Sequence, residues 1–258
     1  MKAVILAGGM GSRIIEESAS RPKPMIEIGG RPLLWHIMKI FDRHGIRDFV
    51  ICLGYKGHVI KAYFLDYFRN AADLTVDLAG GACEIHRRRS EEWKVTLVET
   101  GRDTLTGGRL KRAGPYLAGT RFMMTYGDGL SDIDIGRELE FHRRHGRIAT
   151  VAAVQPPGRF GRMDFDADGL VTRFEEKPEG EYGWINGGFF VFEPEALSRL
   201  EDDSPMLERD LLPRLAGEGQ IVAYRHSGYW MSCDTMRDKL ELERTWSEGT
   251  APWLAGNI

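Results

Sequence analysis

Between Leu6 and Pro24 the chain gathers three kinds of residue that together could hold a polyphosphate: small glycines, an arginine and a lysine. Ala3-Val4-Ile5-Leu6-Ala7 is a continuous apolar run, followed at once by Gly8-Gly9-Met10-Gly11-Ser12-Arg13. Glycines tolerate positive φ and carry no Cβ, so the N–H groups of such a loop can converge on an anion. Arg13 and Lys23 would add full positive charges, the first as a planar fork and the second as a compact point charge. Lys23 stands between Pro22 and Pro24, whose fixed φ stiffens the segment and holds the lysine in place. The loop lacks the Gly-Lys-Ser/Thr ending of a Walker A loop. It also lacks the third glycine of a dinucleotide loop, because Ile14 stands where that glycine belongs. The competing reading is an ordinary strand-to-loop turn with surface charges.

A phosphate loop of this kind needs a strand behind it. The apolar run at 3–7 suits a strand buried on both faces of a parallel sheet. Strand and helix patterns alternate through the first half, which predicts a single α/β domain over 1–258 with a doubly wound, mostly parallel, Rossmann-like sheet. A helix is expected from Pro32 to about His44, stopped by Gly45, and a buried strand at 49–53. Residues 59–68 read as one amphipathic helix whose Tyr63, Phe64, Tyr67 and Phe68 serve the core or subunit contacts. Residues 74–78 and 83–86 predict a hairpin, an added β region outside the main pattern. A central strand at 121–126 ends in Gly127-Asp128-Gly129, and ligands of open α/β sheets bind beyond the carboxyl ends of strands, so this acidic turn can face the glycine loop. A helix over 133–145 is expected to be capped by Asp132 or Asp134 and ended by Gly146. Strands follow at 148–154, 184–192 and 221–225, a second hairpin spans 162–176, and a last helix runs from about 235 to 246.

Composition narrows the function. The chain has 258 residues, 35 basic and 38 acidic, for a net charge of −3. That balance argues against a nucleic-acid partner, which normally selects a basic excess. Cys52, Cys83 and Cys233 are odd in number and widely spaced. They suggest neither a disulfide framework nor a C-x-x-C pair, and they point to a reducing, cytoplasmic compartment. The sequence shows no signal-peptide pattern and no apolar run of membrane-spanning length, so no membrane partner is expected. The Arg87-Arg88-Arg89 run reads as a solvated face or an oligomer contact. His142 and His145 have i, i+3 spacing but flank Arg143-Arg144, and they read as an exposed basic helix end rather than a metal pair.

The chain resembles the sugar-phosphate nucleotidyltransferases. The likeness rests on Leu6-Ala7-Gly8-Gly9-Met10-Gly11-Ser12-Arg13 and Arg21-Pro22-Lys23-Pro24. It continues through 29–39, Thr106-Gly107-Gly108-Arg109-Leu110-Lys111-Arg112, Tyr126-Gly127-Asp128-Gly129, 156–161, Glu175-Glu176-Lys177-Pro178, 185–190 and Asp234-Thr235. Ser12 and Ile14 stand where threonine and leucine are usual in that family. The stretch 104–109 favours a cytidylyl branch over the thymidylyl and uridylyl branches.

The resemblance implies Mg²⁺-dependent transfer of CMP from CTP to glucose 1-phosphate, giving CDP-glucose and pyrophosphate for deoxysugar synthesis. It places Leu6, Ala7, Gly8, Gly9, Met10, Gly11, Ser12, Thr104, Arg109 and Gly127 at the nucleotide. Arg13 and Lys23 would be catalytic, and Asp128 and Asp234 would hold the metal. Glu176, Lys177, Asn186 and Gly188 would take the sugar phosphate. A homo-oligomer is implied as well. Taken without the resemblance, Asp128 reads as a turn residue and Asp234 as the N-cap of the last helix. The rivals are the same chemistry with another nucleotide or sugar phosphate, and an idle homologue that only binds nucleotide sugars. A dehydrogenase is a weaker rival, for want of the third glycine.

Overall fold

The computed structural model describes residues 1–10, 14, 21–70, 72–88, 91–117, 119–156, 162–165, 169–175, 183–200 and 206–254. The chain opens with β1 (Lys2–Leu6). A 3-10 turn, Lys23–Met25, leads into the short antiparallel pair β2 (Glu27–Ile28) and β3 (Arg31–Pro32). Next come α1 (Leu33–Asp42), β4 (Asp48–Leu53), α2 (Gly57–Leu65) and α3 (Tyr67–Asn70). The hairpin β5 (Ala72–Asp77) and β6 (Ala82–Arg88) precedes β7 (Lys94–Glu99) and α4 (Thr106–Ala113). The middle of the chain forms β8 (Phe122–Tyr126), β9 (Gly129–Ser131), α5 (Ile135–His145) and β10 (Ala149–Val154). A second hairpin, β11 (Arg162–Phe165) and β12 (Val171–Glu175), is followed by β13 (Ile185–Phe192) and α6 (Glu195–Ser198). A π turn, Leu207–Leu211, runs into α7 (Leu212–Gly217), and β14 (Ile221–His226), β15 (Trp230–Ser232) and α8 (Met236–Ser247) close the order.

Seven strands form one sheet in the order β14-β10-β13-β8-β1-β4-β7. β1 pairs in parallel with both β4 and β8, and β7 and β14 extend the sheet in parallel at its edges. Only β13 runs antiparallel, between β8 and β10. This is the expected mostly parallel α/β sheet. Because strand side chains alternate faces, Ala3 and Ile5 of β1 join one core with α1, while Val4 and Leu6 join another with α4, α6 and the π turn. Helix α1 is an effective wedge for the first core: Leu33, Leu34, Ile37, Met38, Ile40 and Phe41 are all fully buried. Each such side chain contributes roughly 1.5–3 kcal/mol of burial.

Local signals place most element ends. Pro32 precedes α1, and Asp134 caps α5 by accepting from the Arg137 amide while Gly146 ends it in the left-handed region. The helix expected over 59–68 is instead two, α2 and α3, with a break at Asp66. His142 and His145 are not an exposed end. His142 is fully buried within 2.8 Å of Thr150 Oγ1 and 3.2 Å of Glu193 Oε1, and His145 Nε2 lies 2.7 Å from Thr150 Oγ1. Among the described residues no helix is long and apolar enough to cross a membrane.

Candidate active site

Lys23 is the centre of the site. It begins the 3-10 turn, with extended Pro22 before it and Pro24 inside the turn. Its side chain is 12% exposed, and its Nζ lies 2.6 Å from Asp128 Oδ2 and 2.7 Å from Asp234 Oδ1. Burial by itself would pull the ammonium down, but the two carboxylates outweigh it and hold Lys23 above the usual lysine value.

The two aspartates meet because β9 and β15 pair. Gly129 faces Ser232, Leu130 faces Met231 and Ser131 faces Trp230. One step beyond the ladder, the Cys233 amide donates to the Asp128 carbonyl at 2.9 Å. Asp234 is not the cap of the last helix. Thr235 takes that place, accepting from the Asp238 amide, while the Asp234 and Thr235 amides donate to Asp238 Oδ2 at 3.0 and 2.8 Å. The Asp234 carboxylate is thereby released from capping; Ser232 Oγ donates to its Oδ2 at 2.8 Å, and its Oδ1 faces Lys23. The Cys233 thiol is pushed up to about 12, chiefly by burial.

The glycine loop is anchored from behind. The Ala7 amide donates to Cys52 O at 3.0 Å, and Gly8 O accepts from the Tyr55 amide and from Arg109 Nη2, each at 3.0 Å. Arg109 is 5% exposed, and its guanidinium also donates to Leu53 O, Thr100 Oγ1, Gly101 O and Arg102 O at 2.7–3.0 Å. One buried fork thus ties together the ends of β1, β4 and β7. Gly8 has to be glycine here, because an added Cβ would lie 2.1 Å from Arg109 Nη1. Gly127 is constrained in the same way: its Cβ would lie 2.7 Å from Pro24 Cγ and 3.0 Å from Leu6 O. The Lys23 turn therefore rests directly on the end of β8.

A second polar group lies at the ends of β8 and β13. Asn186 Oδ1 accepts from the Gly188 amide at 2.8 Å, and its Nδ2 lies 3.4 Å from the Tyr126 hydroxyl. Tyr126 donates to Glu208 of the π turn, which also accepts from Thr106 Oγ1 at 2.7 Å. Trp230 Nε1 donates to Gly187 O at 2.7 Å, joining this group to the β9–β15 pair.

The structure thus brings Leu6, Ala7, Gly8, Gly127, Lys23, Asp128 and Asp234 together at the carboxyl edge of the sheet. Gly9 and Met10 continue from the loop into solvent, and Thr104 Oγ1 accepts from Arg112 at 2.6 Å. Gly11, Ser12, Arg13, Glu176 and Lys177 lie outside the described residues. Sequence reasoning overlooked Tyr126, Glu208 and Ser232. A tyrosine just before Gly-Asp-Gly was the only signal for the first; nothing local marks the other two.

Two carboxylates sharing one ammonium form a hard oxygen donor pair, the type that Mg²⁺ takes together with phosphate oxygens. The ammonium occupies the place a cation between them would need. Among the described residues no group of three or more metal-ligating side chains occurs.

The profile of the nucleotidyl transferase family matches residues 2–246. The chain is 51% identical over 254 residues to a glucose-1-phosphate cytidylyltransferase of Salmonella typhi, covering 98% of each protein. It is 42% identical to a probable glucose-1-phosphate cytidylyltransferase of Bacillus subtilis (strain 168), covering 98% of this chain and 99% of that one. Among solved structures, HddC from Yersinia pseudotuberculosis superposes with a TM-score of 0.70 at 24% identity, covering 95% of this chain and 99% of that chain. A putative glucose-1-phosphate thymidylyltransferase from Bacillus anthracis gives 0.69 at 18% identity, covering 100% of this chain and 97% of that chain. These two likenesses speak for the fold, and the profile and the close relatives settle the rest: the chain belongs to the nucleotidyl transferase family.

Proposed function

We propose that this protein transfers CMP from CTP to α-D-glucose 1-phosphate, releasing pyrophosphate and forming CDP-glucose. The observation that carries the chemistry is the Lys23 ammonium set between Asp128 and Asp234 beside the Gly8 loop. The choice of base and sugar rests on the end-to-end similarity to the Salmonella relative.

In the reaction a sugar-phosphate oxygen attacks the α-phosphorus in line, a P–O bond forms to it, and the bond to the β-phosphate oxygen breaks. Two anions have to be brought together, so charge neutralisation and positioning are the protein's main tasks. Lys23 stays protonated through the neutral range and can bridge both phosphates. The Gly8 loop offers main-chain amides, held in place by Arg109. We assign Arg13 to the triphosphate and Glu176 and Lys177 to the sugar phosphate, in each case from the sequence. Asn186 and Gly188 serve the hexose, and Thr104 and Gly127 border the nucleotide. Asp128 and Asp234 would hold Mg²⁺, which supplies neutralisation of the phosphate charge when bound.

We read 1–258 as one nucleotidyltransferase domain, acting in the cytoplasm as a homo-oligomer. Three free cysteines suit a reducing compartment. Exposed apolar side chains on the β5–β6 hairpin, among them Val76 and Leu78, suit subunit contact.

The test is pyrophosphate release with Mg²⁺ and glucose 1-phosphate, offering CTP, UTP, dTTP, ATP and GTP separately. CTP is expected to exceed the others clearly. Preference for another nucleotide would overturn the base assignment, and unchanged turnover of Asp128→Ala would overturn the metal assignment.

A further inference from the structure

The Tyr126–Glu208 contact decides which face the Asn186 amide shows to the site. A phenol has one hydrogen, and Tyr126 gives it to Glu208. The hydroxyl oxygen is left as an acceptor for Asn186 Nδ2 at 3.4 Å. The other end of the amide is taken too, because Asn186 Oδ1 accepts from the Gly188 amide at 2.8 Å. An NH₂ group carries two hydrogens, so one remains to be donated outward from the exposed Asn186.

Glu208 is fixed from its own side. Its second oxygen accepts from Thr106 Oγ1 at 2.7 Å, and that hydroxyl accepts from the Leu207 amide at 2.9 Å. The carboxylate sits in a π turn, Leu207–Leu211. Such turns are rare and recur at functional sites.

We propose that Glu208 is a positioning residue for the sugar-phosphate half of the reaction: through Tyr126 it fixes the Asn186 amide as a hydrogen-bond donor toward an acceptor oxygen of the hexose. This rests on the assignment of Asn186 to the sugar. Without Glu208 the phenol hydrogen is free to turn toward Asn186, and the amide loses the acceptor that orients it. Glutamine at 208 keeps an acceptor oxygen for Tyr126, so the charge itself is dispensable.

The test is steady-state kinetics on the full chain, varying glucose 1-phosphate and CTP in turn, for Tyr126→Phe, Glu208→Ala, Glu208→Gln and Asn186→Ala. Tyr126→Phe and Glu208→Ala are expected to raise KM for glucose 1-phosphate about tenfold and to leave KM for CTP within about twofold. Glu208→Gln is expected to behave as the parent, and the Tyr126→Phe/Glu208→Ala double variant to be no worse than the worse single one. Equal rises in both KM values, or Glu208→Gln matching Glu208→Ala, would overturn the proposal. If Asn186→Ala raises KM for glucose 1-phosphate while the other variants do not, the relay through Glu208 falls and the hexose assignment stands. If Asn186→Ala changes nothing, the hexose assignment falls and the proposal with it. Tyr126→Phe removes one oxygen and keeps the ring, so it decides the matter alone where Glu208→Ala does not fold.

Discussion

The amide of Cys233 donates to the carbonyl of Asp128 across 2.9 Å, and this main-chain bond brings the carboxylates of Asp128 and Asp234 within 2.6 and 2.7 Å of one lysine ammonium. The position of each acid is fixed by backbone, not by the side chain it faces. Removing the lysine should therefore expose what it balances.

Lys23→Met should lower kcat by about 10²–10³, the usual loss for one preorganised charge contact. Its stability cost should depend on pH. The folded Lys23 value lies above the ordinary 10.5, so the stabilisation is fully present below that value and is lost as pH rises through the folded one. Denaturant titrations of parent and variant should differ by a constant amount from pH 7 to about 9.5 and converge in stronger alkali. A difference that already shrinks between pH 7 and 9 would contradict the ion-pair account.

Gly8→Ala should act through Arg109. A Cβ 2.1 Å from Nη1 has to displace a buried guanidinium from several carbonyls at once. The expected result is a loss of about 2–4 kcal/mol in stability and a raised KM for CTP. The substitution Arg109→Lys, which cannot span the same carbonyls, should reproduce both effects. Equilibrium unfolding with a KM comparison measures them together.

Gly127→Ala presses on the other wall of the site. Its Cβ would meet Pro24 Cγ at 2.7 Å and so move the turn that carries Lys23. We expect kcat to fall at least about tenfold, since small misplacements of a reacting geometry are costly. A variant with parental kcat would show that the turn can shift without moving the ammonium.

Glu138 gives a pH signature far from the chemistry. It is fully buried, neither carboxyl oxygen has a hydrogen-bond partner among the described residues, and burial pushes it up to about 8. In the unfolded chain it ionises near 4.5. Between those values the folded state holds the extra proton, so stability falls as pH rises through that window, by up to about 1.4 kcal/mol per pH unit. Glu138→Gln should remove this slope, with the two proteins converging near pH 4 to 5 and the variant gaining on the parent as pH rises to 8. Comparing the pair cancels His142 and His145, both held below the usual histidine value mainly by burial.

What could be read from the residues divides along physical lines. β1, the Asp134 cap, the Gly146 stop and both hairpins announce themselves within a few residues, through apolar runs, capping chemistry and turn glycines. The β9–β15 pair does not, because three-residue strands carry no periodicity and their pairing depends on the tertiary return of the chain. The exchange of Asp234 for Thr235 at the cap was hidden for a related reason: both residues are good caps, and only the reach of Asp238 decides between them. His142 looked exposed because its neighbours in sequence are charged, yet the helix turns it inward onto Thr150. Arg109 could be marked by resemblance, but its work on Gly8 O is invisible until β1, β4 and β7 lie side by side.

The contact between Lys23 and Asp234 joins positions 211 residues apart. A chain emerging from a ribosome carries the glycine loop, Lys23 and Asp128 early, yet it lacks Asp234 until β15 has been made. Loop closure over such a span is slow and is rewarded only at the end. The pair of acids is thus completed only when β15 has been made, and a chain truncated before β15 would lack Asp234 together with Leu242 and Trp253, which pack in the same core as α1.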